Sequence, residues 1–484
     1  SLSVLYIAVS AGGIKLESTH PPVDQQAGPI TLKLESNARV LKGMTILDGL
    51  GGRIEHGLVV IRGDRIVYVG DAERTLPEGA PVTDLSGLFL MPGLIDSHVH
   101  IGASAGGSTS AVEYRPSRIV HDLQAYLGQG VTSVVSMTDN VNDMLSLRKD
   151  VTDGNMRAPR TYLCGLGITA PGGVPTKYFI GVPGVSGLMT SEVGTPQKAQ
   201  AAVQQLADLR VDFIKLYLDG GGYKEPAPVM ADAVFRKAVE TAKAKGLLTT
   251  VQVDNDLHAR FAIEKGVRGI ELAPPDLSDQ TIVEMVTKGV TLTPALAASE
   301  GLARTLRGEP ITDPAALQWV DPAILASLRS PDSWLAPLRA DPAAVAYYTQ
   351  HEKQAFDATR RAVASGVTIL AGSDAGNPGS FHGPGLIREL ELLVDQAKMT
   401  PGAALVSATG AAARRLGSTE VGQIAPGAYA DLIVLGADPT KNIRAVRNIR
   451  TIYFGGLPLQ RNTLLSTPPG RWTPESAGVQ VEKR

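Results

Sequence analysis

Residues 211–256, VDFIKLYLDGGGYKEPAPVMADAVFRKAVETAKAKGLLTTVQVDND, hold one complete strand–helix–strand unit. Val211–Leu216 and Leu248–Val253 are short, apolar and partly β-branched, and Gly or Asp bounds them, as expected of buried strands. DAVFRKAVETAKAKG between them reads as a helix. Repetition of such a unit builds a parallel α/β fold, because each helix must cover the sheet that its neighbouring strands form.

The pattern extends in both directions. Upstream, strand 1 is expected near Leu90–Asp96, strand 2 at Val131–Met137 and strand 3 at Thr161–Leu166. Strands 4 and 5 are the two quoted above. Downstream follow strand 6 at Val267–Leu272, strand 7 at Val290–Thr293 and strand 8 at Val367–Ala371, with helices such as TPQKAQAAVQQLADL and DLHARFAIEKG between. Eight such strands predict a (β/α)₈ TIM barrel, with a doubly wound sheet as the alternative. The flanks have a different texture. Residues 36–90 and 422–460 are short β-rich runs broken by Gly and Asp, so both chain ends are expected to build one small β-sandwich. The expected division is an extension over 1–35 with no assigned function, β-sandwich over 36–90, barrel over 91–421, and the second part of the sandwich plus a tail over 422–484.

Bulk properties remove several function classes. At 43% hydrophobic and 19% charged residues, the 484-residue chain has ample material for a core and does not resemble a disordered chain. With a formal net charge of −2 and no basic stripe or polybasic run, no nucleic-acid or membrane partner is expected. SLSVLYIAVSAGG at the start lacks the positive region of a signal peptide. No later run reaches the roughly 20 apolar residues of a membrane span. The single cysteine, Cys164, excludes an intrachain disulfide and a Cys-based zinc site, and is expected to be a buried apolar residue, not a nucleophile. A cytoplasmic location is expected, an exported form with a removed leader being the alternative. The expected partners are a small-molecule substrate and further copies of the chain. No GxSxG elbow supports a serine hydrolase.

Three places carry metal or acid–base chemistry. His98 and His100 in PGLIDSHVH (92–100) lie two apart at the end of a strand, so both imidazoles share a face and can reach one ion. Asp374 in VTILAGSDAGNPGSFHG (367–383) is a carboxylate just beyond a buried strand. That position is costly unless the group is paired, solvated or coordinating. A helix cap or Asx turn is its structural alternative. Lys215 stands inside the apolar run of strand 4. It is a metal ligand only if its amine is carboxylated, and otherwise an ion-pair partner or a substrate contact.

Together GMTILDG (43–49), FLMPGLIDSHVH (89–100), DFIKLY (212–217), AGSDAGNPGSFHGPGLIRELELLV (371–394), MTPGAALVSATGAAARRLG (399–417) and GQIAPGAYADLIVLGADP (422–439) resemble the metal-dependent amidohydrolase superfamily, in its imidazolonepropionase/prolidase-like branch. The resemblance runs from about residue 38 to about residue 445. It implies a (β/α)₈ barrel with a β-sandwich from the chain ends. It makes His98 and His100 ligands of a first metal, Asp374 its axial ligand and proton shuttle, and Lys215 a bridging carboxylated lysine. His382 matches a histidine in the loop after strand 8, close to the pocket; an ordinary loop histidine is the alternative.

The chain also departs from the family pattern. Where a strand-5 histidine is usual, TTVQVDND places Gln252, with Asp254 on the same face as a second, weak candidate ligand. Where IEHG is usual after strand 6, IELA places Leu272, which binds no metal, and Glu271 beside it is expected to face away. Where TGGH is common, APGGV places Val174. One Zn²⁺ is therefore expected, with a second ion or an empty site as alternatives. The implied reaction is hydrolysis of an amide-like bond by water activated at that ion, with Asp374 moving the proton and Lys215 or His382 orienting substrate. The implied substrate classes are cyclic amides, dipeptides, N-acyl amino acids, ureas and some esters or lactones. Tyr217 is equally a packing residue, and Arg115 reads as surface, not as a carboxylate clamp. The rival readings are a binding protein with a decayed site, and an ester, lactone or other one-metal reaction on the same residues.

Overall fold

The structure is a computed structural model describing residues 38–71, 81–104, 106, 116–179, 189–224, 226–310, 314–470 and 472. The extension over 1–35 and Arg115 lie outside the described residues. Its centre is an α/β arrangement of parallel sheets consistent with a distorted barrel core. Leu94–Val99, Val131–Ser136 and Arg160–Leu163 form one parallel sheet, and Gly167–Thr169, Phe213–Leu218, Leu248–Val253, Gly269–Glu271 and Thr291–Thr293 lie in order in a second. Val131–Ser136 and Phe213–Leu218 are buried throughout, as expected for strands covered on both faces. The helix Asp232–Ala244 packs Val234, Phe235, Ala238, Val239 and Ala242 inward, at the three- and four-residue spacing of one helical face.

Strand 3 ends at Leu163, not Leu166, and Gly167–Thr169 pairs in the other sheet; strands 1 and 8 differ more. The run expected near Leu90–Asp96 is split. Phe89–Pro92 belongs to a chain-end sheet, and the parallel strand begins only at Leu94. Pro92 has no amide hydrogen, and Gly93 lets the backbone pass close to the Thr132 side chain, so the ladder changes sheets there. The segment expected as strand 8 makes one isolated parallel bridge, Leu292 with Ile369, and Ala375 beyond it bridges Val99. Leu370 N donates to Leu292 O on one side, and Ser97 N donates to Ala371 O on the other. Gly372, against Thr293 and the His98 backbone, and Asp374, at φ +50°, kink the segment and interrupt a regular ladder.

The chain ends meet in a six-stranded sheet in which Leu432–Leu435 pairs antiparallel with Phe89–Pro92. One ion pair ties this sheet to the centre. Arg160, on a central strand, reaches Asp431 with Nε at 2.6 Å and Nη2 at 3.2 Å. The Tyr429 ring lies 3.3 Å from the Arg160 guanidinium carbon, and Asp431 also accepts from Gly455 N.

Cys164 is fully buried, its sulfur accepts from Thr138 N, and burial pushes its thiol up to about 12. The native protein is expected not to react with a chromogenic disulfide reagent at neutral pH, and to release one equivalent after denaturation. Prompt labelling of the folded chain would show that the thiol is accessible. No helix among the described residues is long and apolar enough to cross a membrane.

Candidate metal centre

His98 is the last residue but one of a central strand, His100 follows its end, and Asp374 stands on the neighbouring segment, its N–H donating to His98 O. Asp374 Oδ1 lies 3.3 Å from His98 Nε2 and 3.1 Å from His100 Nε2. Each of the three residues offers one ligand atom, and these atoms lie within 4.8 Å of one another. His98 Nε2 and Asp374 Oδ1 are buried with no hydrogen-bond partner among the described residues, and so is Lys215 Nζ. An unsatisfied buried polar atom is costly, and a bound cation would be the missing partner of both His98 Nε2 and Asp374 Oδ1. Two imidazole nitrogens and a carboxylate oxygen are a donor set suited to a borderline divalent cation such as zinc. The residues therefore fit one metal ion.

The electrostatics keep these groups in metal-binding form. Burial, then the Lys215 charge, holds the His98 ring below the ordinary histidine range, hence neutral. Burial acts to raise the Asp374 carboxyl, but His98, His100 and Lys215 outweigh it and hold it below its usual value. Burial depresses the Lys215 ammonium, against the pull of Glu271. Backbone strain gathers at the same face. Thr138, Leu272, Ala295 and Asp374, each just beyond a central strand or bridge, have φ between +50° and +70°. Left-handed backbone at residues other than glycine is uncommon and concentrates at functional sites.

The residues around the centre are held by named partners. Asp96 accepts from Ser373 N at 2.8 Å and Ser373 Oγ at 2.5 Å, which locks the strand carrying His98 to the segment carrying Asp374. Asp139 accepts from Ile101 N, Gly102 N and Ser136 Oγ, which fixes the chain leaving His100. His382 is buried, with Nε2 2.8 Å from Ala103 O and Nδ1 3.0 Å from Tyr126 Oη. Both ring nitrogens are thus engaged by protein, and the ring braces the loop after strand 1.

The structure brings neither of the weaker candidates into the group. Gln252 donates to Asp219 Oδ2 at 2.7 Å. Asp254 Oδ1 lies 2.6 Å from His258 Nδ1, and its Oδ2 accepts from Gly220 N. The Asp254–His258 spacing, four residues apart at a helix start, was a readable sign of this pairing. Tyr217 is buried, bonds Thr138 Oγ1 through its hydroxyl and packs with Val174 and Ala227. Leu272 follows the strand with a left-handed backbone and has no ligand atom.

The expectation for Glu271 is corrected. Its carboxylate reaches into the site. Glu271 Oε2 lies 2.8 Å from His98 Nδ1, and its other oxygen accepts from Thr250 Oγ1. Burial acts to raise its carboxyl, yet the His98 hydrogen bond, with His98, Lys215 and Thr250 around it, pulls it down to about 2. A carboxylate inside the short apolar run GIEL was its signal in the sequence, the same signal that singled out Lys215.

The sequence profile of the Amidohydrolase family matches residues 89–457. The imidazolonepropionase of Cereibacter sphaeroides is 24% identical over 399 residues, covering 82% of this chain and 92% of its own length. The dihydroorotase of Anaeromyxobacter dehalogenans is 28% identical over 325 residues, covering 62% and 65%. Among solved structures, a Xaa-Pro dipeptidase with bound methionine in its active site aligns with a TM-score of 0.71 at 22% identity, covering 87% of this chain and 99% of its own.

Proposed function

Because this chain belongs to the amidohydrolase family, we propose that it hydrolyses amide-like carbon–nitrogen bonds with one Zn²⁺ held by His98, His100 and Asp374. The observation that carries this reading is the convergence of those three ligand atoms, two of them buried without partners, at the C-terminal ends of parallel strands. Barrel active sites form at that face. The relatives named above, an imidazolonepropionase, a dihydroorotase and a Xaa-Pro dipeptidase, support a carbon–nitrogen substrate. On the same reading the isolated bridges complete a (β/α)₈ barrel over 91–421, 36–90 form the first part of the β-sandwich, and 422–484 its second part and a C-terminal tail.

When bound, the ion supplies a Lewis acid that acidifies a water molecule and polarises the scissile carbonyl. Asp374, held below its usual carboxylate range by His98, His100 and Lys215, accepts the proton of the attacking water at its carboxylate. It returns that proton to the leaving nitrogen as the C–O bond forms and the C–N bond breaks. His98 and His100 hold the ion, and Asp96 keeps their strand aligned with Asp374. Lys215 is read as an ammonium balancing Glu271 and Asp374, since a single ion needs no bridging carbamate. His382 is read as a brace for the loop over the site.

Metal stoichiometry, measured on protein purified without chelator beside the H98A/H100A double variant, tests this. About one ion per chain, lost in the variant, is the expected result and one tetrahedral site predicts it. Two ions per chain would overturn the one-ion reading. No ion, even after zinc is supplied, would overturn metal hydrolysis altogether.

A further inference from the structure

We propose that Glu271 is the positioning residue that makes His98 a metal ligand, and that it does so from the strand whose Leu272 has no ligand atom to offer. The inference rests on the one-ion reading above. Glu271 is buried at the end of Gly269–Glu271, and His98 is fully buried opposite it. An imidazole has two nitrogens, and its neutral form carries a proton on only one. Glu271 Oε2, 2.8 Å from Nδ1, can only accept, so it places the proton there. The lone pair is then left on Nε2, the buried atom that lies without a partner 3.3 Å from Asp374 Oδ1. Hydrogen bonds from an outer carboxylate fix the tautomer and ring angle of a metal-bound histidine, and their loss typically weakens metal binding by about 10- to 100-fold.

Three further features suit Glu271 to this task and not to ligation. Its second oxygen is taken by Thr250 Oγ1, so neither oxygen is free to turn toward an ion. Gln252, its register partner on the next strand, is drawn off to Asp219 and does not compete for His98. Gly269, two residues before it on the same strand face, has no side chain, and an added Cβ would lie 2.8 Å from Thr250 Oγ1. The space below the carboxylate is therefore kept for the hydroxyl that holds it. The strand end contributes to metal binding through His98, although the residue that succeeds Glu271 binds nothing.

The test uses the full chain, stripped of metal and titrated with Co²⁺ against a chromophoric chelator, with the visible cobalt spectrum and the melting temperature of the stripped protein recorded alongside. E271L is expected to bind Co²⁺ about 10- to 100-fold more weakly, with an altered cobalt spectrum and a stripped-protein melting temperature showing that it folds. E271Q keeps an amide oxygen for the Nδ1–H but loses the charge, so an intermediate loss of about fivefold is expected, charge-assisted bonds being roughly twice as strong as neutral ones. Wild-type affinity and spectrum in E271L would overturn the assignment. Should E271L not fold, wild-type affinity in the isosteric E271Q would overturn it equally. A wild-type chain that binds no Co²⁺ would instead overturn the one-ion reading, and this inference with it.

Discussion

Asp374→Asn is expected to lower kcat by about 10³-fold on any amide that the wild-type chain hydrolyses, the middle of the range for loss of a general acid–base. The substitution is chosen for the backbone as much as for the side chain. Asp374 sits at φ +50°, and asparagine is among the few residues that tolerate that region, so the kinked segment survives the exchange. The amide oxygen still faces His98 and His100, but the group can no longer take a proton from water. It also removes the negative charge that stands 3.3 and 3.1 Å from the two imidazole nitrogens, so zinc must be supplied in excess. Under saturating zinc the loss should fall on kcat, with KM little changed, because the proton moves only in the transition state. The measurement is steady-state kinetics on the first substrate found in a panel of dipeptides, cyclic amides, N-acyl amino acids and ureas. Activity above about a tenth of wild type with metal bound would remove Asp374 as the proton carrier, since a positioned acid–base contributes at least 10²-fold.

Asp431→Ala is expected to destabilise the fold by about 3 kcal/mol, the lower end for stripping one partner from a buried ion pair. Side-chain exposure is 16% for Arg160 and 4% for Asp431, so water does little to replace the lost carboxylate. The guanidinium would be left against the Tyr429 ring with its charge uncompensated, and Gly455 N would lose its acceptor. Because the pair joins a central strand to the chain-end sheet, the loss should appear as a lower urea midpoint, and as a second transition if the two parts part company. A shift below about 0.5 kcal/mol, the size typical of a surface pair, would mean that Arg160 finds water or another acid. Replacing both residues by apolar ones of similar volume should recover part of the loss, since the cost of the single change lies mainly in the abandoned charge.

The sequence by itself determined the parallel α/β core, the mixing of both chain ends in one sheet, and the group His98, His100 and Asp374. These are local signals. Strand and helix periods repeat along the chain, the HxH pair shares a face because the strand alternates, and an aspartate beyond an apolar run is conspicuous. Tertiary structure alone decided what surrounds that group. The Glu271–His98 bond spans 173 residues, and no local period specifies which neighbour meets an inward-facing carboxylate. Alternation says only that neighbouring strand residues face opposite ways; which face of the strand meets the site depends on how the strand is rotated against its neighbours. His382 likewise reads as a free loop histidine until folding brings Tyr126 and the Ala103 carbonyl to its two nitrogens. The kink at Gly372 and Asp374 follows from crowding by Thr293 and the His98 backbone, which are distant in sequence and adjacent only in the folded chain. The chain's own periodicity sets the elements and displays the ligands. The packing of strands remote in sequence sets which proton each histidine keeps, because a hydrogen bond acts only across the short distances that folding creates.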